Sequence, residues 1–128
     1  MVRIAEKRQL TPITKLFRVE APLIAKSANA GQFVIVRVRE GGERIPLTIT
    51  DYDRDNGLIT IVVQEVGATT RRLGLLEEGA EILDMLGPLG EAPEIPSAGH
   101  IVGVGGGYGS AALLCLMREL KERGEFTT

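Results

Sequence analysis

The chain has 128 residues, of which 44% are hydrophobic and 25% charged, enough to bury the core of one ordinary domain. Its net charge of −2, with no basic run beyond Arg71-Arg72, leaves no electrostatic footprint for nucleic acid or for an anionic membrane. The longest near-continuous apolar run, Ala111 to Met117, is too short to span a bilayer, and the single Cys115 excludes an internal disulfide and a thiolate metal cluster.

In chain order, the first half reads as strands rich in β-branched residues and bounded by Pro, Gly, Asn and Asp: Val2 to Leu10, Ile13 to Glu20, Gly31 to Arg39, Pro46 to Tyr52 and Leu58 to Val66. Asp53-Arg54-Asp55-Asn56-Gly57 carries an Asn-Gly turn signal, so the fourth and fifth strands form a hairpin. The acids Asp51, Asp53 and Asp55 belong to that turn, because the glycine and glutamate of a calcium loop are misplaced. Short strands joined by hairpins imply an antiparallel barrel or sandwich. A short helix follows, Thr70 to Glu78, ended by Gly79, then a strand from Glu81 to Leu86 and a turn, Gly87-Pro88-Leu89-Gly90.

The segment Glu91 to Gly99, with Pro93, Pro96 and Ser97, has linker composition and places a domain boundary at residues 96/97. Beyond it, Ile101, Val102 and Val104 form a short apolar strand that enters Gly105-Gly106-Gly107-Tyr108-Gly109, and an apolar helix begins near Ser110. Glycines at such a strand-to-helix turn let backbone N–H groups approach a phosphate, with the positive end of the helix behind them. Residues 1–96 are thus expected to form a complete domain, and residues 97–128 the first βα unit of a truncated nucleotide-binding domain. Cys115 is expected in the core, and His100, with no nucleophile or carboxylate pattern beside it, is expected to be structural or solvent-facing. No catalytic triad or metal-ligand spacing is visible. The Met1 start shows no signal peptide, which makes the cytoplasm the expected compartment.

Two segments of the first domain offer anion-binding chemistry. In Gly67-Ala68-Thr69-Thr70-Arg71-Arg72, helix N–H groups, two hydroxyls and two guanidinium groups can converge on one anion. Taken alone, this segment reads first as a capped short helix with solvated arginines. In Arg44-Ile45-Pro46-Leu47-Thr48, a cation precedes a strand whose proline has no N–H.

In their order and spacing these segments resemble the ferredoxin–NADP reductase superfamily, on the branch of the flavin subunits of NADH-dependent ferredoxin–NADP oxidoreductase and of the dihydroorotate dehydrogenase electron-transfer partner. The resemblance implies a mainly β fold, a six-stranded antiparallel Greek-key β-barrel that binds FAD, with one short helix, followed by a Rossmann-like NAD(P)-binding domain. It implies Arg44 at the pyrophosphate and Pro46, Leu47 and Thr48 along the isoalloxazine edge. Val63, Gln64 and Glu65 correspond to the strand beside the flavin, and Gly67, Thr69 and Thr70 to the phosphate-contacting helix start. Gly105, Gly106, Gly107 and Gly109 correspond to the nucleotide turn, although Ser110 stands where the strict G-x-G-x-x-G fingerprint has its last glycine.

The function so implied is electron transfer between NAD(P)H, FAD and an iron–sulfur or flavin partner subunit. One cysteine cannot hold the [2Fe–2S] cluster of the family, so the chain is expected to be incomplete for catalysis alone. A helix with Ala111 to Met117 apolar on every face is expected to pair residues 101–123 with a second copy or to be poorly ordered. The alternative is a non-enzymatic barrel that binds a protein or nucleotide, similar to translation-factor barrels; it would require neither Arg44 and Thr48 nor Thr69 and Thr70.

Overall fold

The structure is a computed structural model, and it describes residues 1–91 and 109–122, with side chains in the last segment described for 113–121. The strands are β1 (Val2–Thr11), β2 (Thr14–Glu20), β3 (Phe33–Arg37), β4 (Arg44–Asp53), β5 (Leu58–Gln64), β6 (Glu81–Ile82) and β7 (Asp84–Leu89), with helices α1 (Pro22–Ser27), α2 (Ala68–Gly74) and α3 (Gly109–Glu122). All ladders are antiparallel, in the order β6-β1-β2-β5-β4-β3-β7.

The two outermost strands of that order are one run of chain. Only Leu83 separates β6, which pairs with β1 at Val2↔Ile82, from β7, which pairs with β3 at Arg37↔Asp84. The Leu83 N–H donates to the Val38 carbonyl at 3.3 Å, so the chain changes partner without leaving the sheet. Closing the sheet this way removes its long free edges. The six-stranded Greek-key barrel is therefore present, its last strand split in two. β7 also runs to Leu89, through most of the segment expected to be a turn, and its ladder to β3 ends at Phe33↔Leu89 before Gly90 turns at φ +82°.

Alternate residues fill the barrel. Ile45, Leu47 and Ile49 of β4 and Ile59, Ile61 and Val63 of β5 enter a core that also takes Ile4, Phe17, Val19, Val34, Val36 and Ile82. Each such side chain contributes roughly 1.5–3 kcal/mol on leaving water. The Asn-Gly hairpin forms as expected: Asp53 pairs with Leu58, and Gly57 closes the turn at φ +69°. A side chain there would also meet the ring of Pro22, the first residue of α1, at 2.9 Å.

Two helical boundaries differ from expectation. α1 has no counterpart among the expected elements: six residues are too few to show a period, although proline at the first helical position is a start signal. α2 spans Ala68–Gly74 rather than Thr70 to Glu78, because the chain pairs with β1 from Gly79 onward. Gly79 N–H donates to the Ile4 carbonyl at 2.8 Å, and Ile4 N–H donates to the Ala80 carbonyl at 2.9 Å. Extended pairing with β1 is incompatible with a helix continuing to Glu78.

The α3 helix opens at Gly109, close to the expected Ser110, and packs on β4. Cys115 and Leu120 are buried, Cys115 within the core cluster as expected, whereas Leu114 is 57% exposed. The barrel wall thus covers one face of this apolar helix. The domain boundary at 96/97, His100 and Gly105, Gly106 and Gly107 lie outside the described residues. Among the described residues, no helix is long and apolar enough to cross a membrane, and no cluster of acidic, His and Cys side chains could hold a metal ion.

Candidate functional site

β4 and β5 are neighbours over only part of their length. Their ladder runs from Ile49↔Ile61 to Asp53↔Leu58, yet β4 begins at Arg44 and β5 continues to Gln64. Over the remaining stretch β4 pairs with β3 alone, from Phe33↔Thr48 to Arg37↔Arg44, and β5 pairs with β2, up to Thr14↔Gln64. Pairing diverges at a seam with Pro46, Leu47 and Thr48 on one lip and Val63 and Gln64 on the other. Pro46 suits this position, since its missing N–H is not required by a ladder on the seam side.

Arg44, Pro46 and Thr48 point away from the core, whereas Leu47 and Val63 point into it. A ligand on the outer wall can therefore meet Leu47 and Val63 only through their backbone, and Arg44, Pro46, Thr48 and Gln64 through side chains. Arg44 shares the Asp84 Oδ2 with Arg37, at 3.4 and 3.2 Å. Two guanidinium groups against one carboxylate leave this three-residue cluster with a net positive charge. Because the Arg44 and Asp84 side chains are each about half exposed, their pairing contributes at most ~1 kcal/mol and leaves Arg44 able to turn toward another anion.

The start of α2 closes the other side. Gly67 precedes the helix with extended backbone, and the Thr70 hydroxyl accepts from the N–H groups of Val66 and Gly67 at 3.0 and 2.9 Å while donating to the Gly67 carbonyl at 3.1 Å. Thr70 therefore shapes the turn. Thr69 has a different outlook: with Ala68 and Arg72 it lines a cleft of about 120 Å³ whose other wall is Val38, Arg39, Gly41, Gly42 and Glu43 of the β3–β4 loop. Its lining offers the Thr69 hydroxyl and the Arg39 and Arg72 side chains to an anion. The loop side of this cleft was not singled out in the sequence, where Glu40-Gly41-Gly42-Glu43 carries only a turn signal.

Glu65 is engaged within the protein. It forms an ion pair with Lys15, both side chains mostly buried, and it lies against Gly74, where an added Cβ would come within 2.6 Å of the Glu65 carboxyl carbon. This contact fixes the C-terminal end of α2 on β5, and so fixes where the α2 start faces. The structure thus gathers Arg44, Pro46, Thr48, Gln64, Gly67 and Thr69 around one end of the barrel. Gly109 is the first residue of α3, the helix that packs on β4.

No family model matches the chain. A curated protein of Thermotoga maritima, named as a homolog of the electron transfer subunit of dihydroorotate dehydrogenase B (NAD(+)), is 46% identical over 112 residues, covering 88% of this chain and 40% of that protein. A solved structure of NADH-dependent reduced ferredoxin-NADP oxidoreductase, described for flavin-based electron bifurcation, matches with a TM-score of 0.94 and 42% identity over 98% of this chain and 45% of that one. Phthalate dioxygenase reductase shares the fold, with a TM-score of 0.82 at 22% identity over 97% of this chain and 40% of that one. The chain thus spans less than half the length of each of these proteins.

Proposed function

We propose that this chain, which belongs to the ferredoxin–NADP reductase superfamily, is the FAD-binding portion of an electron-transfer oxidoreductase, with residues 97–128 opening its nucleotide-binding domain. The observation that carries the reading is the β4–β5 seam, because it sets segment 44–48 beside the distant run 63–70, whose helix start meets the β3–β4 loop. A protein-binding barrel would have no need for a guanidinium, a hydroxyl and an arginine-lined cleft at such an interruption.

The donor set fits a dinucleotide with a planar ring. Arg44 and the Thr69–Arg72 cleft supply charge and hydrogen bonds for a pyrophosphate, and charge-assisted bonds of this type are the stronger ones. Pro46 and the Thr48 hydroxyl offer a flat lip on one side of the seam, and the Gln64 amide can both donate and accept on the other. When bound, FAD supplies acceptance of a hydride from reduced nicotinamide and release of single electrons to an iron–sulfur or flavin partner subunit. The protein's part is to hold the ring, to neutralise the pyrophosphate and to keep water from the buried edge of the seam.

Titration of the chain with FAD, followed by quenching of flavin fluorescence, tests this reading. Saturable binding with one FAD per chain is expected. A chain that stays unliganded at high flavin concentration would leave the alternative of a binding barrel without cofactor.

A further inference from the structure

The second half of β4 carries an arrangement that the flavin reading does not use. Between Ile49 and Asp51 the β4–β5 register slips by one residue, so that Asp51 lies opposite Thr60 and Tyr52 opposite Ile59. A bulge re-aims the side chains that follow it. Here it leaves Tyr52 almost fully buried in the core cluster and Asp51 part-exposed toward α3. Arg118 of α3 meets both: it forms an ion pair with Asp51, its Nη2 donates to the Tyr52 carbonyl at 3.2 Å, and its guanidinium lies 4.8 Å from the Tyr52 ring centre. The Arg54 guanidinium lies 4.4 Å from the same ring and donates to the Ala28 carbonyl at 2.6 Å, tying the ring to the end of α1. Asp51 is itself fixed, accepting from the Tyr52 N–H at 2.8 Å.

We infer that Arg118 is a positioning residue, which registers α3 on β4 through Asp51 and Tyr52 and so sets the helix at a fixed offset from the flavin-side lip of the same strand. This inference rests on the flavin reading for its purpose but not for its geometry. α3 follows directly on the glycine-rich run of the sequence and packs mainly on β4. Its apolar contacts through Cys115, Leu116 and Leu120 are non-directional, so they hold the helix on the wall without choosing its height or rotation. A planar guanidinium that satisfies a carboxylate, a carbonyl and a ring face together does choose them. One strand then carries the proposed flavin contacts at its start and the seat of the nucleotide-domain helix at its end.

The test uses the full 128-residue chain and two substitutions that spare the core, Arg118→Ala and Asp51→Asn, with Arg118→Lys as the conservative variant. Amide hydrogen exchange of residues 113–121 should quicken at least tenfold in the first two and by less in Arg118→Lys, which keeps the charge but not the fork. Exchange in β2 and β5, and the affinity for FAD, should stay within about twofold of the unsubstituted chain. Unchanged exchange of α3 in Arg118→Ala and Asp51→Asn would overturn the inference, and so would a loss of FAD affinity as large as the exchange effect. If the unsubstituted chain binds no FAD, the flavin reading fails while the exchange rates still decide whether Arg118 registers the helix.

Discussion

At the head of β4, Arg44 is held by one half-exposed carboxylate that it shares with Arg37, so removing it leaves no buried charge behind. Its value lies in a ligand anion. A charge-assisted hydrogen bond contributes roughly 1.5–3 kcal/mol, and Arg44→Ala is expected to weaken FAD binding by about one to two orders of magnitude, at ~1.4 kcal/mol per decade. Fluorescence titration checks the affinity. Denaturant unfolding of the apo barrel should shift by less than ~1 kcal/mol, as for other exposed ion pairs. Arg44→Lys should recover part of the affinity, since a lysine keeps the charge without the two-pronged donor geometry. An affinity unaltered in Arg44→Ala would place the pyrophosphate elsewhere.

Among the elements, the β4–β5 hairpin joins a sequence signal to a measurable titration. The Asp53 carboxylate accepts from the Asn56 side-chain amide at 2.7 Å and from the Asn56 N–H at 3.1 Å, and these bonds hold its pKa below the ordinary aspartate value of 3.8. A carboxyl with a depressed folded-state pKa adds stability above its unfolded value and loses it as pH falls through the folded one. The turn is therefore expected to keep its full contribution at neutral pH and to lose it below 3.8. An NMR titration should find the Asp53 midpoint below 3.8 in the native chain and closer to 3.8 in Asn56→Ala; equal midpoints would show that the Asn56 bonds do not favour the charged form.

This hairpin was legible because Asn-Gly demands a left-handed residue and β-branched runs flank it. The long strands were legible for the same reason. The split at Leu83 was not, since Glu81 to Leu86 is continuous in composition and the change of partner depends on which strands lie on either side. α2 begins at Ala68, within two residues of the expected Thr70, where glycine and threonine act locally, and ends well short of the expected Glu78, where pairing to β1 decides. The candidate site divides in the same manner. Arg44 and Thr69 stand out by residue type, whereas the Arg39–Gly42 wall depends on a loop meeting a helix, and Arg118 acquires its partners only through the slip of register before Asp51.

For the whole molecule, closure of the barrel and the seam in its wall are two sides of one arrangement. Strands β1 to β5 are each laddered on both sides somewhere along their length and the β6–β7 run joins the two ends, so the core holds together without a ligand, while the stretch at which β4 and β5 part leaves a site with no core of its own. A ligand seated there binds the folded chain and has nothing to hold in the unfolded one, because its contacts come from residues 44–48 and from the run 63–72, which meet only in the closed barrel. Linkage then sets the scale: at a free FAD concentration of 100 times Kd the folded state gains about 2.7 kcal/mol. For a domain of this size each kcal/mol moves the thermal midpoint by about 4–8 °C, so saturating FAD is expected to raise the barrel's Tm by about 10 to 20 °C, followed by far-ultraviolet circular dichroism. With Arg44→Ala at the same FAD concentration the rise should shrink to half or less, as one to two decades of affinity bring the ligand down to between about ten times Kd and Kd itself. Arg118→Ala, acting at the other half of β4, should keep the full rise. A rise equal in all three proteins would mean that FAD stabilises the fold from a site other than the seam, and no rise at all would mean that the seam is not a flavin site.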